Sequence, residues 1–108
     1  MTIDAATFSE LQDSAGADFV KELVAAFLED APKALAELRS AWDTKSADRF
    51  RRAAHSLKSN GQTFGATEFA ESARQLELSG MPEDAAQLEA LQLSYEASAL
   101  ALQELCRG

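Results

Sequence analysis

The chain is short of the residues on which most site chemistry depends: one histidine, one cysteine, one tryptophan and one tyrosine among 108 residues. Cys106 has no second thiol to meet, so no intrachain disulfide forms and a reducing cytoplasm is the simplest compartment. One histidine and one cysteine make a zinc site only with carboxylates at ligand spacing, and no such spacing occurs. No apolar run approaches the roughly 20 residues that span a bilayer, and the N-terminus shows no basic-then-apolar signal pattern. Positive charge is scarce too. Ten Lys+Arg stand against 18 Asp+Glu, a net charge of −8, which argues against nucleic acid or an anionic membrane as a partner. With five glycines, two prolines and no long alternation of apolar and polar residues, strands are not expected.

What is present is alanine and leucine at three- and four-residue spacings, in a chain that is 46% apolar. Breaks in that pattern divide it into five helices. Asp4 is suited to cap a short first helix carrying Phe8 and Leu11, which ends near residues 14–16. A second helix is predicted over 18–42, with Phe19, Leu23, Phe27, Leu35, Leu38 and Trp42 along its apolar side and Pro32 kinking it. A third starts at Ser46 and ends at Phe64, before Gly65; a fourth covers 66–78. Pro82 followed by Glu83 and Asp84 predicts a fifth over 82–105. Long helices with short connections predict an all-α fold, an up-and-down antiparallel four-helix bundle with a short additional N-terminal helix, in one domain over 1–108.

On a wheel of about 100° per residue, Ala53, Ala54, Leu57, Gly61 and Phe64 fall within about 60° of Phe50 and define the core stripe of the third helix. His55 falls near 140°, on the solvent side, with Arg51, Arg52, Lys58, Ser59 and Gln62 around it. A surface histidine on a helix is most often an ordinary surface residue. Here it sits in a segment, Lys45 to Lys58, with five cations and one aspartate; that local balance of +4 leaves −12 on the rest of the chain. A cationic island on an acidic protein points to an anionic partner or group.

The run His55-Ser56-Leu57-Lys58-Ser59, with Gly65 ten residues after the histidine, resembles the signature of histidine-containing phosphotransfer (HPt) domains of multistep phosphorelays. In that family a phosphoacceptor histidine is followed by leucine, lysine, a small residue and glycine at these spacings. Ser59 stands where glycine is commonest, a mild departure that keeps the site open. The resemblance implies a four-helix bundle in which His55 accepts a phosphoryl group from a receiver-domain aspartate and passes it to another receiver. It implies that Lys58 contacts the phosphate. Arg51 and Gln62 on the same face are candidates to assist, and Glu77 on the next helix is a candidate to orient the histidine; each also reads as an ordinary solvated side chain.

Partners implied are response-regulator receiver domains or a hybrid histidine kinase, with no nucleic acid and no membrane. No cofactor is expected, and magnesium belongs to the receiver. No nucleotide-binding glycine loop is present, so autonomous kinase activity is not expected. The absence of a zipper-like repeat favours a monomer. A non-catalytic helical adaptor is the principal alternative. A carrier protein modified at Ser14 after Asp13 fits poorly, because the dipeptide precedes the first long helix and lacks a following Leu or Met. A hydrolase using His55 as base lacks any recognisable nucleophile or orienting acid.

Overall fold

The structure, a computed structural model, describes residues 2–107. Its elements are α1 (Ala5–Ala15), α2 (Ala17–Asp43), α3 (Ala47–Phe64), α4 (Thr67–Ser79) and α5 (Ala86–Cys106), and the described residues contain no strand. Helices α2 to α5 form a four-helix bundle: α2 packs on α3, α3 on α4, α4 on α5 and α5 back on α2. Helix α1 packs across α2 and α3. The longest axis of the molecule, 42 Å, is set by the 27 residues of α2.

Each boundary has a local cause. The Asp4 carboxylate accepts from the Thr7 amide at 3.0 Å and so caps α1. Ser46 precedes α3 as expected, yet its hydroxyl makes no capping bond; Asp48 in the first turn faces the positive end of the helix instead. Pro32 stands inside α2, which continues through it to Asp43. Gly65 ends α3 at φ 77°, where the Ala66 amide donates back to the Gly61 carbonyl and the Gly65 amide to Gln62.

Two expectations need correction. Helix α5 does not begin at Pro82 but four residues later, at Ala86. A helix starting at Pro82 would use the Pro82 carbonyl to accept from the Ala86 amide. Instead the Asp84 side chain takes that amide at 2.9 Å, and the Trp42 indole N–H donates to the Pro82 carbonyl at 2.8 Å. The connection is thereby pinned to the end of α2 rather than wound into α5. Phe19 is the second correction: it is 51% exposed, and Val20 is buried in its place. Val20 is seven residues from Phe27, within about 20° of the same line, whereas Phe19 is about 80° away.

The core is continuous from end to end. Phe50, Leu57 and Phe64 enter from α3, Phe69 and Leu76 from α4, Leu91 and Leu102 from α5. Phe27, Phe64, Phe69 and Tyr95 bring one ring each from α2 to α5, with Phe27 within 6.0 Å of the other three ring centroids. Burial raises the Tyr95 phenol above its ordinary pKa, and its hydroxyl donates to the Leu28 carbonyl at 3.4 Å. Gly61 lets α3 and α4 close together: a Cβ there would lie 2.9 Å from Phe69 Cδ2 and 3.1 Å from Ala70 Cβ. That approach positions the site.

Candidate phosphotransfer site

His55 projects outward from α3 with its side chain 57% exposed, on the opposite side of the helix from buried Ala53, Ala54 and Leu57. Its Nδ1 lies 2.7 Å from Glu77 Oε2, a carboxylate supplied by α4. The other oxygen, Oε1, is 2.8 Å from Lys58 Nζ, one turn after the histidine. Glu77 thus joins the two side chains across the α3–α4 seam. It is itself only 14% exposed.

The Lys58 bond holds the Glu77 carboxyl below the usual glutamate range; partial burial opposes this, and the His55 bond adds to it. An ionised carboxylate only accepts hydrogen bonds, so the contact places a proton on His55 Nδ1. In the neutral ring Nε2 then carries the lone pair. The carboxylate at the α3–α4 seam thus holds the imidazole by Nδ1, on a side chain that is more than half exposed.

The surrounding cations are less free than the sequence suggests. Arg51 Nη2 and Arg52 Nη2 pair with opposite oxygens of Asp48 at 3.0 and 3.2 Å. Arg49 Nε pairs with Glu37 of α2 at 2.7 Å, which raises the guanidinium pKa and lowers that of Glu37. Bringing Glu37 and Glu77 to the five cations and Asp48 reduces the island's balance from +4 to +2. These exposed pairs contribute little stability each, but they order the face around the imidazole.

The remaining candidates separate by position. Ser59, four residues after His55, is half-buried, and Ser56 is exposed. Arg51 borders a shallow groove with Asp48, Glu77 and Leu78. Gln62 is two turns along α3, about 10 Å from the histidine, in a groove shared with Thr7, Thr67 and Arg74. Gly65 is further still. Its carbonyl accepts from the Asp4 amide at 2.7 Å, and a Cβ on it would lie 2.9 Å from Thr7 Cβ, so the structure gives it the task of ending α3 and seating α1. Among the described residues no group of three or more His, Cys, Asp or Glu is arranged to hold a metal ion. None of the helices is long and apolar enough to cross a membrane.

Sequence reasoning missed two participants. Glu37 reaches Arg49 across the α2–α3 contact, a pairing that no local spacing announces. Asp48 was legible, standing three and four residues before the two arginines it binds.

A search of curated proteins and one of solved structures returned no match. The Hpt domain family matches residues 22–106, a span that runs from the first turns of α2 to the end of α5 and includes His55, Lys58 and Glu77. Such domains act in histidine phosphotransfer within phosphorelays, where they interact with receiver domains and kinases. With an all-helical bundle and a match over most of its length, the chain belongs to the Hpt domain family.

Proposed function

We propose that His55 is the phosphoacceptor and that the protein is a phosphorelay intermediate, taking a phosphoryl group from the aspartate of one receiver domain and giving it to the aspartate of another. The observation that carries this reading is the His55 Nδ1 to Glu77 contact of 2.7 Å on a side chain that is 57% exposed, which supports Nε2 as the nucleophile.

In the forward step the Nε2 lone pair attacks phosphorus of the partner's aspartyl phosphate. An N–P bond forms as the P–O bond to the aspartate breaks, and the aspartate leaves as a carboxylate. The ring gains positive charge as it bonds to phosphorus. Glu77, ionised and hydrogen-bonded at Nδ1–H, offsets that charge without taking the proton. The Lys58 ammonium has three N–H donors and is bonded to Glu77 through one oxygen, which leaves donors for the phosphoryl oxygens. Return transfer to a second receiver is the reverse of these events.

Little else is required of this chain, because phosphoryl transfer depends on in-line positioning and charge stabilisation, and an exposed imidazole lets the partner bring its own groups. Magnesium acts on the receiver's carboxylates in this reading, and the phosphoryl group originates from a kinase elsewhere. The setting is cytoplasmic and the working form a monomer.

Incubation with a phosphorylated receiver domain tests the proposal. Label that is acid-labile and base-stable should appear on the protein and vanish in His55→Gln. Label that survives this substitution overturns it. A protein that binds receivers without accepting label would instead be an adaptor.

A further inference from the structure

The outward face of a bundle helix is ordinarily polar, and that of α5 carries an apolar stripe along its middle. Leu93 and Leu100 are 67% and 61% exposed, and exposed Ala86, Ala90 and Ala97 lie on the same stripe. The spacings of four, three, four and three residues are those of a helix seam, and the stripe runs for about 21 Å. Leu88, Leu91, Tyr95 and Leu102 are buried on the other side. Helix α5 is therefore apolar on two faces, with only one covered. In the sequence the two sets of leucines merge, so the outer repeat becomes visible only when burial separates them.

The charges beside the stripe select its occupant. Glu89 and Glu96, two turns apart, border one edge; both are exposed, and neither forms an ion pair among the described residues. Gln87, Ser94 and Ala101 border the other edge, which has no charge. A second copy of the chain fits badly. Antiparallel, it sets the acidic edge against itself; parallel, it sets that edge against an uncharged one. A strip about 21 Å by 10 Å also falls well short of the roughly 800 Å² per partner of a stable interface. A helix with basic side chains beside an apolar seam meets both the leucines and the carboxylates.

We propose that the outer face of α5 docks an amphipathic helix of a partner protein whose apolar seam is edged by lysine or arginine, in a weak and exchanging complex. Helix α5 packs on α2 and α4, diagonal to α3. Occupation of its outer face leaves the His55 face open, so a tethering protein and a receiver can be held together; this last clause rests on the phosphotransfer reading.

The test titrates the ¹⁵N-labelled full chain with a synthetic helical peptide of about 20 residues, leucines at seam spacing and lysines beside them, and with its glutamate-edged counterpart. The lysine peptide should shift the amides of the α5 stripe and bind at least about tenfold more tightly than the glutamate peptide. Leu93→Ser with Leu100→Ser should weaken it about tenfold or more, and Glu89→Lys with Glu96→Lys should reverse the preference. Receiver-dependent labelling of His55 should be unchanged in both variants. Shifts elsewhere than α5, equal binding of the two peptides, or self-association that the leucine variant abolishes would each overturn the proposal. Failure of labelling with peptide binding intact would count against phosphotransfer alone.

Discussion

The outer faces of α3 and α5 lie on opposite sides of one bundle and differ in chemistry. On α3 the exposed face is polar, and four of the five cations in the island around His55 have a carboxylate partner, two of them on other helices. On α5 the exposed face is a plain apolar strip with acidic residues along one edge. The α3 face is suited to place one nitrogen in one direction, which demands fixed hydrogen-bond geometry. The α5 face is suited to adhesion, which needs area and a charge preference but no single oriented atom. The difference teaches that exposure alone does not identify a site; the ordering of what is exposed does.

The sharpest break in this contrast is His55→Gln, which should remove all receiver-derived label while leaving helical content unchanged by circular dichroism. Next comes the seam beneath the face. Gly61→Val drives side-chain atoms into Phe69 and Ala70 and should destabilise the bundle by about 1–3 kcal/mol in urea unfolding, with slower labelling. The corresponding change on the opposite face has no seam to disturb.

Glu77→Gln keeps the shape but substitutes a group that both donates and accepts, so the ring is no longer committed to one tautomer. Labelling should slow by about tenfold with the fold intact, the order expected when a charge-assisted bond is replaced by a neutral one. Imidazole nitrogen shifts should change from a single Nδ1–H form to a mixture. An unchanged rate and spectrum would reduce Glu77 to a surface carboxylate.

Acid should act on the polar network and spare the apolar strip. Glu77 is lowered chiefly by Lys58, Glu37 by Arg49, and Asp4 by the Thr7 hydroxyl. A carboxyl lowered in the folded chain contributes stability above its unfolded pKa and loses it as pH falls through the folded value. Urea midpoints should therefore be level near neutrality and drop below about pH 4. Lys58→Met should flatten part of that drop; a profile already flat to pH 3 would contradict the assignment. Smallest of all, Leu93→Ser with Leu100→Ser removes exposed side chains only and should shift stability by no more than about 0.5 kcal/mol per site.

Much of this was legible in the sequence because it depends on local spacing. Phe50, Ala53, Ala54, Leu57, Gly61 and Phe64 repeat at helical intervals and are all buried, which turned His55 outward by geometry alone. What spacing does not contain is the identity of the neighbour across a seam. Glu77 stood as a candidate only through the resemblance; its contacts with both His55 and Lys58 come from α4 closing against α3 at Gly61. The Pro82 boundary differs for a related reason: proline and acids mark a helix start, but Asp84 takes the Ala86 amide and Trp42, forty residues earlier, ties the Pro82 carbonyl to the end of α2. Phe19 is apolar but lies about 80° from the line of Phe27, which leaves it exposed.

That Trp42 bond makes the chain its own optical reporter. With a single indole, half-buried and tied to the α4–α5 connection, tryptophan emission excited selectively over Tyr95 arises from one place. A red shift with quenching would mark the connection leaving the end of α2. Phosphorylation at His55 or a peptide on α5 should leave the spectrum where it was, which gives every titration described above an internal check that the bundle itself has not opened.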